Sequence, residues 1–459
     1  MTRIHEENGP SFDWTPHPAA AALIAELVEE FLQHSAAARK LAARMRDGTG
    51  TRLVDWIDHL ALPDDDALRR RLSEVGFVES QFGEETAWEH RDGMFPRVRL
   101  HGDTVRRLAI KVESVGYFMM RWQGGSEPKI TPPPAGLASV ESVQFDEETG
   151  HELWAVERHG DRRFGTHRLP AAKQSAISTH MTALWSRRRD FASDEEGFAH
   201  AGRLLEAAIG DLGVNTTCDL FFAGERMFWQ QRNRAAHVQA ERQEQLGLSW
   251  ANHDHHTYRC SRRQFTRLVA TLEQIGFECR ERFYAGKQAG WGAQVLEQPQ
   301  CGITVFADVD LADDEVTEDF AHCPLADRDE LGTVGLWCRL HGEAFLQAGL
   351  HHLECQFDYA RAREQLETLG VSVMDPFTDF PHLKQAFTAG EMWPVETERI
   401  QVLLSEGQIT EAQAATFRCD GAIGSHLEIL ERNNGYKGFN QTGISEIISR
   451  IDPRKMTDA

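Results

Sequence analysis

Apolar positions along the chain recur with two periods, and the switches between them outline the elements. Leu23, Leu27, Val28 and Phe31 fall at helical spacing among Ala and Glu, which predicts a helix over 18–48 closed by the turn Asp47-Gly48-Thr49-Gly50. A more complex pattern then appears three times: a short apolar strand bearing His, an amphipathic helix, a Gly, and a second strand. The first copy is TRLVDWIDHLAL, DDDALRRRLSEVG and FVESQF; Leu68, Leu72 and Val75 form the helical stripe, and Gly76 stops it. The second is WANHDHHTYR, SRRQFTRLVATLEQIG and FECRERFYAG, with Phe265, Leu268, Val269, Leu272 and Ile275 inward and Gly276 last. The third is AGLHHLECQFD, YARAREQLETLG and VSVMDPF, ending its helix at Gly370. From strand His to terminal Gly the separations are 17 (His59), 21 (His255) and 18 (His352).

Each copy continues into strand-like stretches: MFPRVRL and LAIKVESVGYFMMRW after the first, WGAQVLEQP and CGITVFADVDL after the second. After the third come HLKQAFTAG and, past a helical insertion at 396–418, GSHLEILER. The repeating unit therefore reads βαβββ, and a fourth, degenerate copy is expected around 138–170. Helical segments at 170–210 and 224–246 separate the first and second units. GGSEPKITPPPAGL (124–137) is expected to be a linker, and the acidic run 311–331 a solvated loop. The predicted class is α+β, with repeated βαβββ modules forming curled mixed sheets plus extra helices. The expected organisation is an N-terminal helical extension (1–50), N-terminal modules without metal (51–170), a helical connector (171–248) and a metal-binding pair of modules (249–459).

Composition narrows the partners. The 459 residues contain 71 acidic and 49 basic side chains, a net charge of −22, which opposes a phosphate-binding face and anionic membranes. No apolar run approaches the roughly 20 residues of a membrane span, and MTRIHEENGPSFDW lacks the pattern of a secretory signal. Eight scattered cysteines with no C-x-x-C pair argue against a zinc ribbon or a disulfide framework. A reduced cytoplasmic setting is expected, with a small-molecule partner, no nucleic acid and no membrane. An exposed sheet edge leaves a homo-oligomer open.

The histidines suggest the chemistry. Strand alternation places His253, His255 and Thr257 on one face and Asp254 and His256 on the other. In GSHLEILER it puts His426, Glu428 and Leu430 together. Histidines on the first strands of two paired units, with a carboxylate on a last strand, would make a two-imidazole, one-carboxylate set suited to Fe(II), Mn(II) or Zn(II).

From about 250 to 452 the chain resembles the catalytic half of 4-hydroxyphenylpyruvate dioxygenase and its relatives in the vicinal oxygen chelate superfamily. The resemblance lies in HDHHTYR, in HHLECQFDYARAREQLETLGVSVMDPF and in HLEILERNNGYKGFNQTGISEIISRID, while WIDHLAL and GFVESQF resemble the metal-free N-terminal module. It implies metal ligands His255, His352 and Glu428, no catalytic group beyond them, Fe(II) as cofactor, and a 2-oxo acid and O₂ as substrates, with oxidative decarboxylation coupled to hydroxylation. Thr257, Gln294 and Gln385 are candidates to orient the acid, and Tyr436 and Phe439 to cap the pocket. The chain departs from that family at Gly435–Asn440 and in its N-terminal helix. IDHLAL, FPRVRL and Asp254-His255-His256-Thr257 are also similar to the 2-oxoadipate dioxygenase/decarboxylase family, which implies instead His59 and His255 with Glu428 or Glu297. Metal-dependent isomerases and lyases, and small-molecule binding proteins, share the same modules.

Overall fold

The computed structural model describes residues 14–122, 138–440 and 452–454. The first helical stretch is two helices, α1 (Pro18–His34) and α2 (Ala36–Thr49). Ser35 breaks it because its extended backbone lets the side chain accept from the Ala38 N–H at 3.1 Å, starting a new helix. Gly50 ends α2 at φ +68°, where a Cβ would meet Ala362 Cα at 2.8 Å.

The first sheet contains β1 (Ile57–Pro63), followed by α3 (Asp66–Glu74), β2 (Val78–Phe82), β3 (Glu85–Glu89) and β4 (Arg97–His101). Next come β5 (Arg106–Lys111), α4 (Val115–Trp122), β6 (Ala138–Glu148), β7 (His151–Arg158) and the two-residue β8 (His167–Arg168). The order is β2-β3-β4-β1-β5-β7-β6-β8, so two modules meet along β1 and β5. This corrects the reading of LAIKVESVGYFMMRW as strand: it is β5 and then a helix, and the fourth copy begins at Arg106 rather than near 138. Its Met and aromatic residues favour strands locally. Helical spacing prevails because Val115, Phe118 and Met119 bury one stripe, and Glu157 at the end of β7 accepts the Val115 N–H at 2.8 Å.

Helices α5 (Ala171–Trp185), α6 (Asp194–Leu212), α7 (Val214–Gln230) and α8 (Arg234–Glu244) follow. The second sheet opens with β9 (His253–Arg259), α9 (Phe265–Gln274), β10 (Glu278–Tyr284), β11 (Trp291–Gln298) and β12 (Ile303–Asp310). After α10 (Thr333–His341) come β13 (His352–Gln356), α11 (Tyr359–Thr368), β14 (Thr378–Phe380), β15 (Leu383–Phe387) and β16 (Glu391–Trp393). Helices α12 (Thr397–Ser405) and α13 (Glu411–Cys419) lead into β17 (Ala422–Arg432). The order β10-β11-β12-β9-β13-β17-β15-β14 again joins two βαβββ modules, with β9 and β13 antiparallel at the centre. VSVMDPF, expected as a strand, contributes only the bridge Val373–Thr388, and the short strand comes after it. In the acidic run, Glu315 binds Arg262 at 2.6 Å.

The connector helices form a layer on the outer face of this sheet. Phe222 of α7 packs edge-on against His256, and Tyr258 donates to Glu225 at 3.0 Å. Glu225 is itself buried against Arg187 and Arg189 at 3.0 and 2.5 Å. Trp229 donates to Ser425 of β17 at 2.8 Å. Among the described residues, no helix is long and apolar enough to cross a membrane.

Candidate metal centre

Three strands meet over the inner face of the second sheet. Register sets Thr257, His352 and His426 side by side across β9, β13 and β17, and places His255, Glu354 and Glu428 in the next row. Residues in register share a face, so the sequence-predicted ligands converge. One ligand atom from each of His255, His352 and Glu428 lies within 4.8 Å of the other two, and all three residues are buried. His352 Nε2 is 3.1 Å from Glu428 Oε2 and 2.8 Å from Thr257 Oγ1. Gln385 donates to Glu428 Oε1 and to Glu354 Oε1, each at 3.1 Å.

Strand alternation predicts Asp254 on the opposite face, and a β-bulge overturns this. Glu354 pairs with His255 but Cys355 pairs with His253, so Asp254 is the extra residue. A bulge turns adjacent side chains to one side. Asp254 therefore joins His255 inside, while His253 turns to the outer face beside His256, ring centroids 5.1 Å apart. Asp254 accepts from Arg432 Nε and Nη2 at 2.8 and 2.9 Å.

Around His255 the chemistry is asymmetric. Its Nδ1 faces Glu354 Oε2 at 2.5 Å and Asp254 Oδ1 at 3.3 Å, whereas its Nε2 makes no hydrogen bond among the described residues. A carboxylate on one ring nitrogen fixes the tautomer that leaves the other as a ligand. Burial holds His255 below its ordinary value, and burial with the Arg259 charge takes His352 down to about 3, so both rings are neutral. Burial pushes Glu428 up to about 7; burial, then Glu428 and Asp254, push Glu354 well above the carboxylate range. For Asp254 the upward push of burial is outweighed by Arg432 and His255. Two neutral imidazoles beside crowded carboxylates suit a divalent cation, which would relieve the repulsion that raises them.

Other expected residues are placed unevenly. Phe439 packs edge-on to His255 and Phe306 at 5.3 and 4.5 Å, beside the candidate ligands. Tyr436 instead rests on His382 at 4.5 Å. Gln294 is a correction: it pairs with Ala307, which pairs with Tyr258, so it shares the outer, helix-covered face. There its amide donates to the Glu281 and Val295 carbonyls at 3.0 Å. Glu297 pairs with Lys437 and Arg280 at 3.3 and 3.5 Å and does not join the ligand group. His59 belongs to the other sheet, bound to Asp58 at 2.7 Å, so the alternative set built on it is not assembled.

The first sheet repeats the frame of the second without its full set of candidate ligands. Asp58 is the extra residue of a bulge between β1 and β5, followed by His59, as Asp254 is followed by His255. Arg158, at the end of LWAVER, grips Asp58 at 2.6 and 2.7 Å, as Arg432 at the end of LEILER grips Asp254. Glu431 accepts from the α11 N-terminal Tyr359 N–H at 2.9 Å, as Glu157 does for α4. By the same register, Arg107 stands where His352 does, Ala109 where Glu354 does, and Trp154 where Glu428 does. Of the three candidate ligands, only the histidine has a counterpart there, His59. Asp254, Glu354 and Arg432 were missed from sequence; aligning the two DH and two ER pairs would have found the clamp.

No family model and no curated protein matches the chain. Among solved structures, it is similar to a mutant of 4-hydroxymandelate synthase from Streptomyces coelicolor, at 13% identity over 88% of this chain and 98% of that one, TM-score 0.27. A Mn(II)-bound glyoxalase from Novosphingobium aromaticivorans gives 10% identity, 83% and 82% coverage, and TM-score 0.19. Methylmalonyl-CoA epimerase from Mycobacterium tuberculosis gives 10%, 40% and 88%, and 0.23. Likenesses this remote carry no argument about activity. The strand order defines the class: an α+β protein of paired βαβββ modules in curled mixed sheets, the vicinal oxygen chelate fold with added helices.

Proposed function

We propose that this protein is a metal-dependent dioxygenase acting on a 2-oxo acid, with the ion held by His255, His352 and Glu428. The observation that supports it is the buried convergence of those three side chains, with His255 Nδ1 hydrogen-bonded to Asp254 Oδ1 and facing Glu354 Oε2. Iron(II) in a two-histidine, one-carboxylate set supplies open positions for a chelating 2-oxo acid and for O₂. The chain's part is positional. Gln385 orients Glu428 through its Oε1, leaving Oε2 toward His352. Thr257 offers a hydroxyl beside His352. Phe439 and Phe306 exclude water from the His255 side. Eight unpaired cysteines are consistent with a reducing, cytoplasmic setting.

The test is O₂ uptake and CO₂ release by anaerobically Fe(II)-loaded protein over a panel of 2-oxo acids. Uptake coupled to CO₂ and lost in Glu428→Gln is expected. Stoichiometric iron with no uptake on any acid would overturn the dioxygenase reading while leaving a metal-dependent isomerase or lyase.

A further inference from the structure

Cys279, near the start of β10, pairs with Leu296, Leu296 with Val305 and Val305 with His256, so its side chain lies on the outer, helix-covered face of the second sheet. There it meets the last turn of α9, which carries Glu273, and the acidic run 311–331, which carries Asp319 and His322. One ligand atom from each of Glu273, Cys279 and His322 lies within 4.8 Å of the other two. The run is held at this corner by Phe320, 1% exposed, whose ring lies 5.8 Å from that of Phe265 in α9 and 5.5 Å from the Arg282 guanidinium. Asp319 and His322 flank that anchor. The Asp319 carbonyl accepts the Cys323 N–H at 2.9 Å, closing a turn that makes side chains three apart neighbours.

His322 is oriented as a ligand would be. Its Nδ1 donates to Asp319 Oδ2 at 2.9 Å, and its Nε2 faces Glu273 Oε1 at 2.9 Å. A carboxylate on one ring nitrogen is the device that fixes a metal-binding histidine. An imidazole between two carboxylates is complete as an ion triad, and Cys279 is what such a triad does not need. Its half-buried thiol makes no hydrogen bond among the described residues, yet it joins the same group from a separate strand. The nearby cation, Arg282, lies 3.6 Å from Asp319, on the side chain that orients His322.

We propose that Glu273, Cys279 and His322 form a Zn(II) site on the outer corner of the second sheet, which fastens the acidic run to α9 and β10, with Asp319 positioning His322. Thiolate, imidazole and carboxylate together suit Zn(II), and the thiolate disfavours Mn(II). The ion would replace the Cys279 thiol proton and the proton that His322 shares with Glu273, and both would leave to solvent. Three protein ligands leave a fourth position for water. The site does not depend on His255, His352 or Glu428.

The test is a Co(II) titration of the full chain, followed by the thiolate-to-metal charge-transfer absorption that imidazole and carboxylate ligands do not produce. Wild type and Glu428→Gln are expected to show the band, and added Zn(II) should remove it by competition. Cys279→Ser and His322→Phe should lose it, Cys323→Ser, which removes an exposed thiol outside the group, should keep it, and Asp319→Asn should weaken binding about 10–100-fold. No band in folded wild type, a band that survives Cys279→Ser, or one lost in Cys323→Ser overturns the site. Hydrogen exchange checks the fastening: Zn(II) should slow the amides of 311–331 in wild type and not in Cys279→Ser. Exchange that Zn(II) leaves unchanged in wild type contradicts it.

Discussion

Asp254 accepts two hydrogen bonds from Arg432, at 2.8 and 2.9 Å, and both side chains are almost fully buried. The pair joins the bulge that turns Asp254 inward beside His255 to the end of the strand bearing Glu428. Removing one partner of a buried ion pair costs about 3–5 kcal/mol, because the other charge is left behind. Arg432→Met is therefore expected to lose stability on that scale and also to weaken Mn(II) binding. Arg158→Met, which breaks the equivalent clamp on Asp58, should lose stability while leaving Mn(II) affinity unchanged. Urea unfolding and Mn(II) titration of both variants check the contrast.

Glu354 lies 2.5 Å from His255 Nδ1 and outside the group formed by His255, His352 and Glu428. Replacing such a carboxylate typically costs about 10–100-fold in metal affinity. Glu354→Gln is expected to bind Mn(II) that much more weakly, and Glu428→Gln to lose binding altogether. Equal losses in the two variants would mean that Glu354 is itself a ligand.

His159 ties the first sheet to the connector: its ring nitrogens lie 2.7 Å from Asp219 of α7 and 2.7 Å from Glu157 of β7. Burial lowers its pKa, but Asp219 and Glu157 outweigh it and raise the group to about 10. A histidine raised in the folded state contributes stability that is complete below its unfolded value near 6.5 and is lost as pH rises through 10. Stability should therefore fall across that window with a slope from this group approaching about 1.4 kcal/mol per pH unit. Urea midpoints between pH 6 and 9.5 should show the decline in wild type, and His159→Gln should flatten it.

Much of the fold is legible in the pattern of apolar residues, because each module repeats a helix of period 3.6 between strands and ends it with Gly76, Gly276 or Gly370. The convergence of His255, His352 and Glu428 is legible for the same reason: they occupy first and last strands of paired modules. The errors share a cause, which is that tertiary contacts outrank local pattern. Val115–Trp122 looks like strand until Glu157 from a later strand accepts its first N–H. Alternation fails at Asp254 because a bulge depends on the register of β9 against β13, which one strand does not encode. Gln294 has suitable chemistry but sits on the wrong face, again a matter of register.

The most direct measurement is an anomalous difference map from a crystal soaked anaerobically in Mn(II). A single strong peak bounded by His255, His352 and Glu428, with Glu354 on the far side of the His255 ring, is the predicted result. No peak there, or a peak at another group of side chains, would contradict the metal centre on which the proposed activity depends.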